Sequence, residues 1–380
     1  MVMFFLALFS FILACKKSPS VEAPVSTYTT TPYSIKVPKG FPQPNIPADN
    51  PMTVEGVTLG RFLFYDSILS YNYKQSCASC HRQQFAFSNG NVQFSKGADG
   101  ISIGDRNAPA LFNKAWDLEG TPPYGGFFWD GRAKSLEDQA LMPLVNPKEM
   151  ALSDVSVAVT RLQSTNMYPD LFKKAFGSST VTKENIGKAI AQFMRIIVSG
   201  NSLYDSVKNH ILPDFVNSDQ KNGYNLFIHD PIFKADSVRY PNTIEPYSGL
   251  DCFHCHAPPF FTPDPASLKP FMNNGLTGIN SSGDSITLFK VPSVRNVLLT
   301  APFMHDGEFA NLDSVIAHYD HGYSAIHSPY LSDFMFYKRF GKNSKMKLTP
   351  NEIKQVKAFL ASLTDYTLIT NPEYKNPFLK

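Results

Sequence analysis

The chain has 380 residues, of which 43% are hydrophobic and 13% aromatic, and this length suits about two cored domains. Its formal charge of +3 is too slight to imply a nucleic-acid partner. A soluble globular body is expected.

Residues 2–13 are nearly all apolar and run into Lys16-Lys17-Ser18, the pattern of an export signal too short to span a bilayer comfortably. Ile12-Leu13-Ala14-Cys15 resembles the bacterial lipobox, in which the cysteine is lipidated and becomes the new N-terminus. Periplasmic export with an anchor at Cys15 follows, and the membrane is touched through that lipid alone. An ordinary signal peptide with a chance cysteine is the alternative, and the lack of Lys or Arg ahead of the apolar run fits a misplaced start. Residues 16–53, with eight prolines by residue 51 and no hydrophobic periodicity, read as a tether, and the fold is expected to begin near Val54.

Two CxxCH motifs follow, Cys77-Ala78-Ser79-Cys80-His81 and Cys252-Phe253-His254-Cys255-His256. Cysteines three apart can each form a thioether to one face of a haem, and the adjacent histidine then reaches the iron. A zinc or thiol-redox CxxC is the competing reading, opposed by export and by the histidine in both copies. His254 reads as a bystander. With Cys15 lipidated, no cysteine remains for a structural disulfide.

The motifs sit in a repeated frame. GxxLF precedes each, as Gly60 to Phe64 and as Gly223 to Phe227; Phe85 and Phe260 stand four residues past the histidines; Arg106-Asn107 is paired with Arg295-Asn296. Phe128-Trp129-Asp130-Gly131 is echoed by Met304-His305-Asp306-Gly307, each glycine followed five residues later by a leucine, Leu136 or Leu312. Ser135 and Asn311 are N-caps for helices there, and Asp138 would complete a capping box in the first copy. Leu312, Val315, Ile316 and Tyr319 share one apolar face. Further helices are expected with Ile186, Ile190, Phe193, Met194 and Ile197 inward, and from Thr349-Pro350 with Ile353, Val356, Phe359 and Leu360 inward. No alternating strand pattern stands out. The expected architecture is mainly α: two cytochrome c-like haem domains related by internal duplication, residues 54–210 and 211–380.

Twelve residues past the paired glycines lie Pro143 and Tyr319. Proline cannot bind iron and tyrosine can, so one haem would keep an open face and the other would have both filled. By default Tyr319 and Trp129 are core aromatics, Pro143 a helix breaker, Glu149 a surface acid and Gln139 an exposed helix residue.

The ordered series Leu59 to Asp66, Ser76 to His81, Arg106-Asn107-Ala108-Pro109, Phe128 to Arg132, Leu136 to Ala140, Asn146 to Met150, Val291 to Asn296 and Thr300 to Gly307 resembles the bacterial di-haem cytochrome c peroxidases across residues 54–365. The resemblance implies an oxidoreductase of the cytochrome-c peroxidase type that reduces hydrogen peroxide to water at the first haem. A c-type cytochrome or similar small donor would feed electrons through the second. Glu149 would move a proton between the peroxide oxygens, Gln139 would hold the pocket, and Trp129 would relay electrons between haems. A calcium ion would take the Asn107 side chain and the carbonyls of Thr300 and Pro302. A homodimer is compatible with this reading.

Two departures from the best-known members matter. Residues 82–105 contain no histidine to cap the first iron, so that haem is expected to be open at rest. Tyr319 stands where those enzymes carry a distal methionine, which resembles MauG, a di-haem enzyme that oxidises tryptophans of a partner protein. Met304 is a rival ligand. A MauG-like oxidase acting through an oxidised di-haem pair is therefore the second reading, and a pure electron carrier the third; Pro143, Gln139 and Glu149 together disfavour the carrier. Residues 228–250 carry no readable role.

Overall fold

The computed structural model of the chain describes residues 28–229, 249–250, 252–263, 270–279, 283–321, 337–338, 341–342 and 348–379. The signal segment with Cys15 and nearly all of the 228–250 stretch lie outside them. The described chain is helix-rich: α1 (Val54–Tyr65), α2 (Cys77–Cys80), α3 (Leu136–Val145), α4 (Val155–Gln163), α5 (Tyr168–Phe176), α6 (Lys183–Ile196), α7 (Leu203–Lys208), α8 (Ser218–Ile228), α9 (Leu312–His321), α10 (Pro350–Ser362) and α11 (Tyr366–Thr370). Strands among the described residues are two-residue antiparallel pairs: 271–272 with 289–290, 278–279 with 285–286, and 337–338 with 341–342.

Two main apolar cores form among the described residues, with a small third cluster of Ala115, Trp116 and Phe260. The first gathers Leu59, Leu63, Phe64, Ile186, Ile190 and Phe193; the second gathers Leu226, Phe227, Phe261, Val356, Phe359 and Leu360. Each is organised by one close helix crossing. A Cβ on Gly60 of α1 would collide with the Ala189 carbonyl of α6, and a Cβ on Gly223 of α8 with the Gln355 carbonyl of α10. The glycine of GxxLF is therefore a contact requirement, because only a residue without Cβ lets the backbones approach this far. The leucine and phenylalanine that follow it are buried in both copies.

Caps behave as chemistry dictates. Thr349 and Glu352 form a reciprocal capping box at α10. Ser135 Oγ accepts from Asp138 N at 3.1 Å, but the return bond from Asp138 is not made, so the expected box at α3 is a simple cap. Asn311 Oδ1 accepts from Ser314 N at 3.0 Å at the start of α9.

Three expectations need correction. Residues 28–53 are not a free tether: Tyr33 N bonds Met52 O at 3.0 Å, Trp116 Nε1 bonds Pro42 O at 2.8 Å, and Phe41 packs edge-on against Trp116 and Phe260. Proline-rich chain needs no partner strand, and its aromatic residue finds apolar surface to bury. The second half does not keep its C-terminus, because Leu368 and Tyr374 belong to the first core. Arg61 Nε donates to Lys375 O at 2.7 Å, and Gln83 Nε2 to Leu368 O at 3.1 Å and Asn371 O at 2.9 Å.

The third concerns pairing. Asn296 corresponds to Asn113 rather than Asn107: both are left-handed (φ 57° and 59°), both open a 3-10 turn, and their N–H groups reach the residue capping the long helix, Leu363 O and Ile197 O. Phe261 likewise corresponds to Phe87, since these, rather than Phe260 and Phe85, accept from the motif histidines. One residue of length difference after the motif hides the phenylalanine pairing in a register read from fixed offsets.

Candidate functional site

After each CxxCH the chain turns back and ties itself off. Arg82 N bonds Ser88 O at 3.0 Å, and Ala257 N bonds Thr262 O at 3.1 Å. The turns aim one backbone carbonyl at each ring: His81 Nδ1 lies 2.9 Å from Phe87 O, and His256 Nδ1 3.3 Å from Phe261 O. Backbone carbonyls of Pro109 and Pro292 also act on the two rings. Burial pulls both imidazoles down to about 4, so each is neutral. A neutral imidazole bonded at Nδ1 offers Nε2 to a metal, with the carbonyl fixing tautomer and orientation.

A cavity of about 860 Å³ passes both motifs, lined by Cys77, Cys80 and His81 and also by Cys252, Cys255 and His256. Beside the first motif, Pro143, Gln139 and Glu149 line it. Asn146 Nδ2 donates to Glu149 Oε1 at 2.6 Å. Burial raises the Glu149 carboxyl above its ordinary range, although Arg132 and the Asn146 bond pull the other way. Burial also pushes the Cys77 thiol up to about 12, with Cys80 and Glu149 adding to it, so the carboxylate acts directly on the motif.

Beside the second motif the wall carries Tyr319, Met304, Met272 and Asn274. Burial, reinforced by the Cys255 and Cys252 thiols, raises the Tyr319 phenol, while an Asn274 hydrogen bond opposes this. Met304 Sδ accepts from Asn274 Nδ2 at 3.3 Å, and Met272 Sδ lies 3.3 Å from Cys255 Sγ. The His254 ring lies tilted against Phe253, with the ring centres 4.1 Å apart.

Trp129, 9% exposed, lines the same cavity. Its Nε1 donates to Asn107 O at 2.8 Å, its carbonyl accepts from Lys290 N at 2.8 Å, and Asn107 N donates to His305 O at 2.9 Å. Lys290 Nζ is anchored by Asp117 at 2.7 Å and Gly126 O at 3.0 Å, a half-buried pair joining the two halves. Asn107, Thr300 and Pro302 line the same cavity, and Asn107 Nδ2 donates to Val92 O and Gln93 O. Among the described residues no cluster of three or more His, Cys, Asp or Glu could hold a metal ion.

The residues fit two covalently held haem groups. Paired thiols and an oriented histidine recur at two places on one cavity whose size is that of cofactor pockets. Two buried polar atoms without a partner, Asn273 Nδ2 and His305 Nδ1, also line it, as the polar edges of bound groups require.

Fold and site together define a helical c-type haem protein with two attachment sites on one cavity. A family model described as di-haem cytochrome c peroxidase matches residues 54–210. The chain is 34% identical over 298 residues to the methylamine utilization protein MauG of Methylorubrum extorquens, covering 75% of this chain and 73% of that one. It is 30% identical over 354 residues to the cytochrome c551 peroxidase of Nitrosomonas europaea, covering 88% and 86%. A solved MauG-like protein associated with microbial copper homeostasis superposes with a TM-score of 0.73 at 30% identity, covering 91% of this chain and 99% of that one. The chain belongs to the di-haem cytochrome c peroxidase family, which includes MauG, and that membership brings two haem c groups.

Three contributors escape a reading of the sequence. Asn146, three residues before Glu149, is visible as its neighbour in the motif but carries no sign of the bond. Lys290 and Asn274 have no local signal, since each acts on a partner from a distant stretch of chain.

Proposed function

We propose that the protein reduces hydrogen peroxide to water at the first site, with electrons from a small donor such as a c-type cytochrome entering through the second. The observation that carries this reading is the pairing of Glu149 with Pro143 on the cavity wall beside Cys77 and Cys80, a proton-handling carboxyl next to a position that cannot coordinate. Net, one peroxide, two electrons and two protons give two waters. When bound, each haem supplies the redox equivalents and, at the first site, a coordination position for peroxide.

The chain's own residues do the rest. His81, with its orientation set by Phe87 O, would hold the iron of the first haem. Glu149, kept in place by Asn146, takes the proton from the near peroxide oxygen and returns it to the far one. Gln139 lines the pocket to position the oxidant. Trp129, tied to Asn107 and Lys290, relays electrons between the halves. The Asn107 side chain and the carbonyls of Thr300 and Pro302 would hold a calcium ion, an oxygen donor set that suits such a cation. Cys252, Cys255 and His256 would hold the second haem, and Tyr319 would supply a further ligand to its iron. Export to the periplasm with a lipid at Cys15 suits a two-haem protein of this kind.

The second reading, a MauG-like oxidase that removes electrons from a protein or other reductant, is favoured by Tyr319, because a phenolate stabilises oxidised iron. Adding peroxide to the ferric holoprotein, then a reduced c-type cytochrome, separates the two. Rapid oxidation of the cytochrome supports the peroxidase; a long-lived oxidised state indifferent to it supports the oxidase.

A further inference from the structure

Asn274 touches the second site in three ways. Its Nδ2 is 3.3 Å from Met304 Sδ, its side chain hydrogen-bonds Tyr319, and its carbonyl oxygen is 3.0 Å from His318 Nε2. His318 and Tyr319 are consecutive on α9, so the last bond fixes the helix that carries the tyrosine. Asn274 Oδ1 accepts from Leu276 N at 3.2 Å, which sets the amide's orientation and turns its NH2 toward Met304 and Tyr319.

An amide nitrogen carries two hydrogens. Here the side chains it meets are the two rivals for the same iron. A thioether coordinates through a sulfur lone pair, and a donor on that sulfur competes with coordination. A phenolate in a buried pocket has the opposite need: it binds metal while still accepting a hydrogen bond, and without a donor its charge is costly.

We propose that Asn274 selects tyrosine over methionine as the distal partner of the second haem, holding Met304 back with one N–H and supporting Tyr319 with the other. This rests on the assignment of Tyr319 to the second iron. Asn274 does not touch the iron and is a positioning residue. It gives the family frame a means of running the second site with a low-potential oxygen ligand while a methionine stands close by.

The test is spectroscopic and uses the ferric holoprotein. Asn274→Leu removes both N–H donors at similar volume, and Asn274→Asp removes them at the same shape should the first variant fold poorly. Either is expected to bring up the near-infrared sulfur-to-iron charge-transfer band of methionine ligation and to raise the second haem's midpoint potential. The band should vanish in the double variant with Met304→Leu. A second-haem spectrum in Asn274→Leu and Asn274→Asp identical to the parent's overturns the proposal while leaving Tyr319 in place. A band that survives Met304→Leu overturns the assignment to Met304 and points to Met272. If Tyr319→Phe leaves the parent spectrum unchanged, the tyrosine assignment itself falls, and the proposal with it.

Discussion

Around His81 the chain closes between Arg82 and Ser88 and holds the imidazole on Phe87; around His256 it closes between Ala257 and Thr262 and holds it on Phe261. A left-handed asparagine, Asn113 or Asn296, then ties the following loop to the end of the long helix. Phe128 and Met304 share a positive φ ahead of α3 and α9. With this much backbone in common, the halves differ in what the next helix presents: Pro143 backed by Gln139 and Glu149 in one, Tyr319 backed by Asn274 in the other. A frame that orients the motif histidine is thus separable from the groups that line the rest of the cavity beside it.

Glu149→Gln strikes the first half alone and should have the largest effect. It keeps the Asn146 contact but cannot take a proton, and peroxide turnover should fall by about 10²–10⁴-fold, with the second site's spectrum unchanged. In the parent, only the ionised carboxyl accepts the proton. Because burial raises that group, the rate should fall as pH drops through a value above the usual glutamate range. A stopped-flow pH profile that keeps this limb in Glu149→Gln would remove Glu149 from the chemistry.

Arg295→Met tests the second half. Arg295 is fully buried and grips Asp205 through two bonds of 2.8 and 2.7 Å. Leaving Asp205 unpaired should cost about 3–5 kcal/mol in urea unfolding. Burial works to raise the Asp205 carboxyl, but Arg295 and Ser202 outweigh it and hold it below its ordinary value. A depressed carboxyl contributes stability at pH above its unfolded value and loses it as pH falls through the folded one. The parent should therefore lose stability on acidification below the ordinary carboxylate range, and this part of the loss should be absent once the charge is removed by Asp205→Asn.

Asn113→Ala and Asn296→Ala sharpen the comparison. Asn113 Oδ1 accepts from Ser199 N at 2.8 Å, and Asn296 Oδ1 from Asp365 N at 2.8 Å. Each substitution strands a buried N–H, at a cost of about 1–3 kcal/mol, and the two costs should match. A large inequality would show that the frames are alike in shape but not in energetics. The smallest effect belongs to the caps: Ser135→Ala and Asn311→Ala should each cost about 1 kcal/mol, read as a shift in thermal midpoint.

Helix positions and both CxxCH motifs were legible from the chain alone. They rest on local chemistry: apolar periodicity, capping side chains, and a ligand spacing set by covalent geometry. Gly60 and Gly223 were visible as a repeat, but the reason for them was not, because the carbonyls they approach lie far along the chain. The same distance hid the partner of each site. Lys290 reaches Asp117 from the other half, Asn274 reaches Met304 and α9, and residues 366–379 return to the first core. Local patterns fix which face a residue presents; which group meets it is decided by packing, since a hydrogen bond or a buried contact depends on proximity in space and carries no mark in the order of the chain.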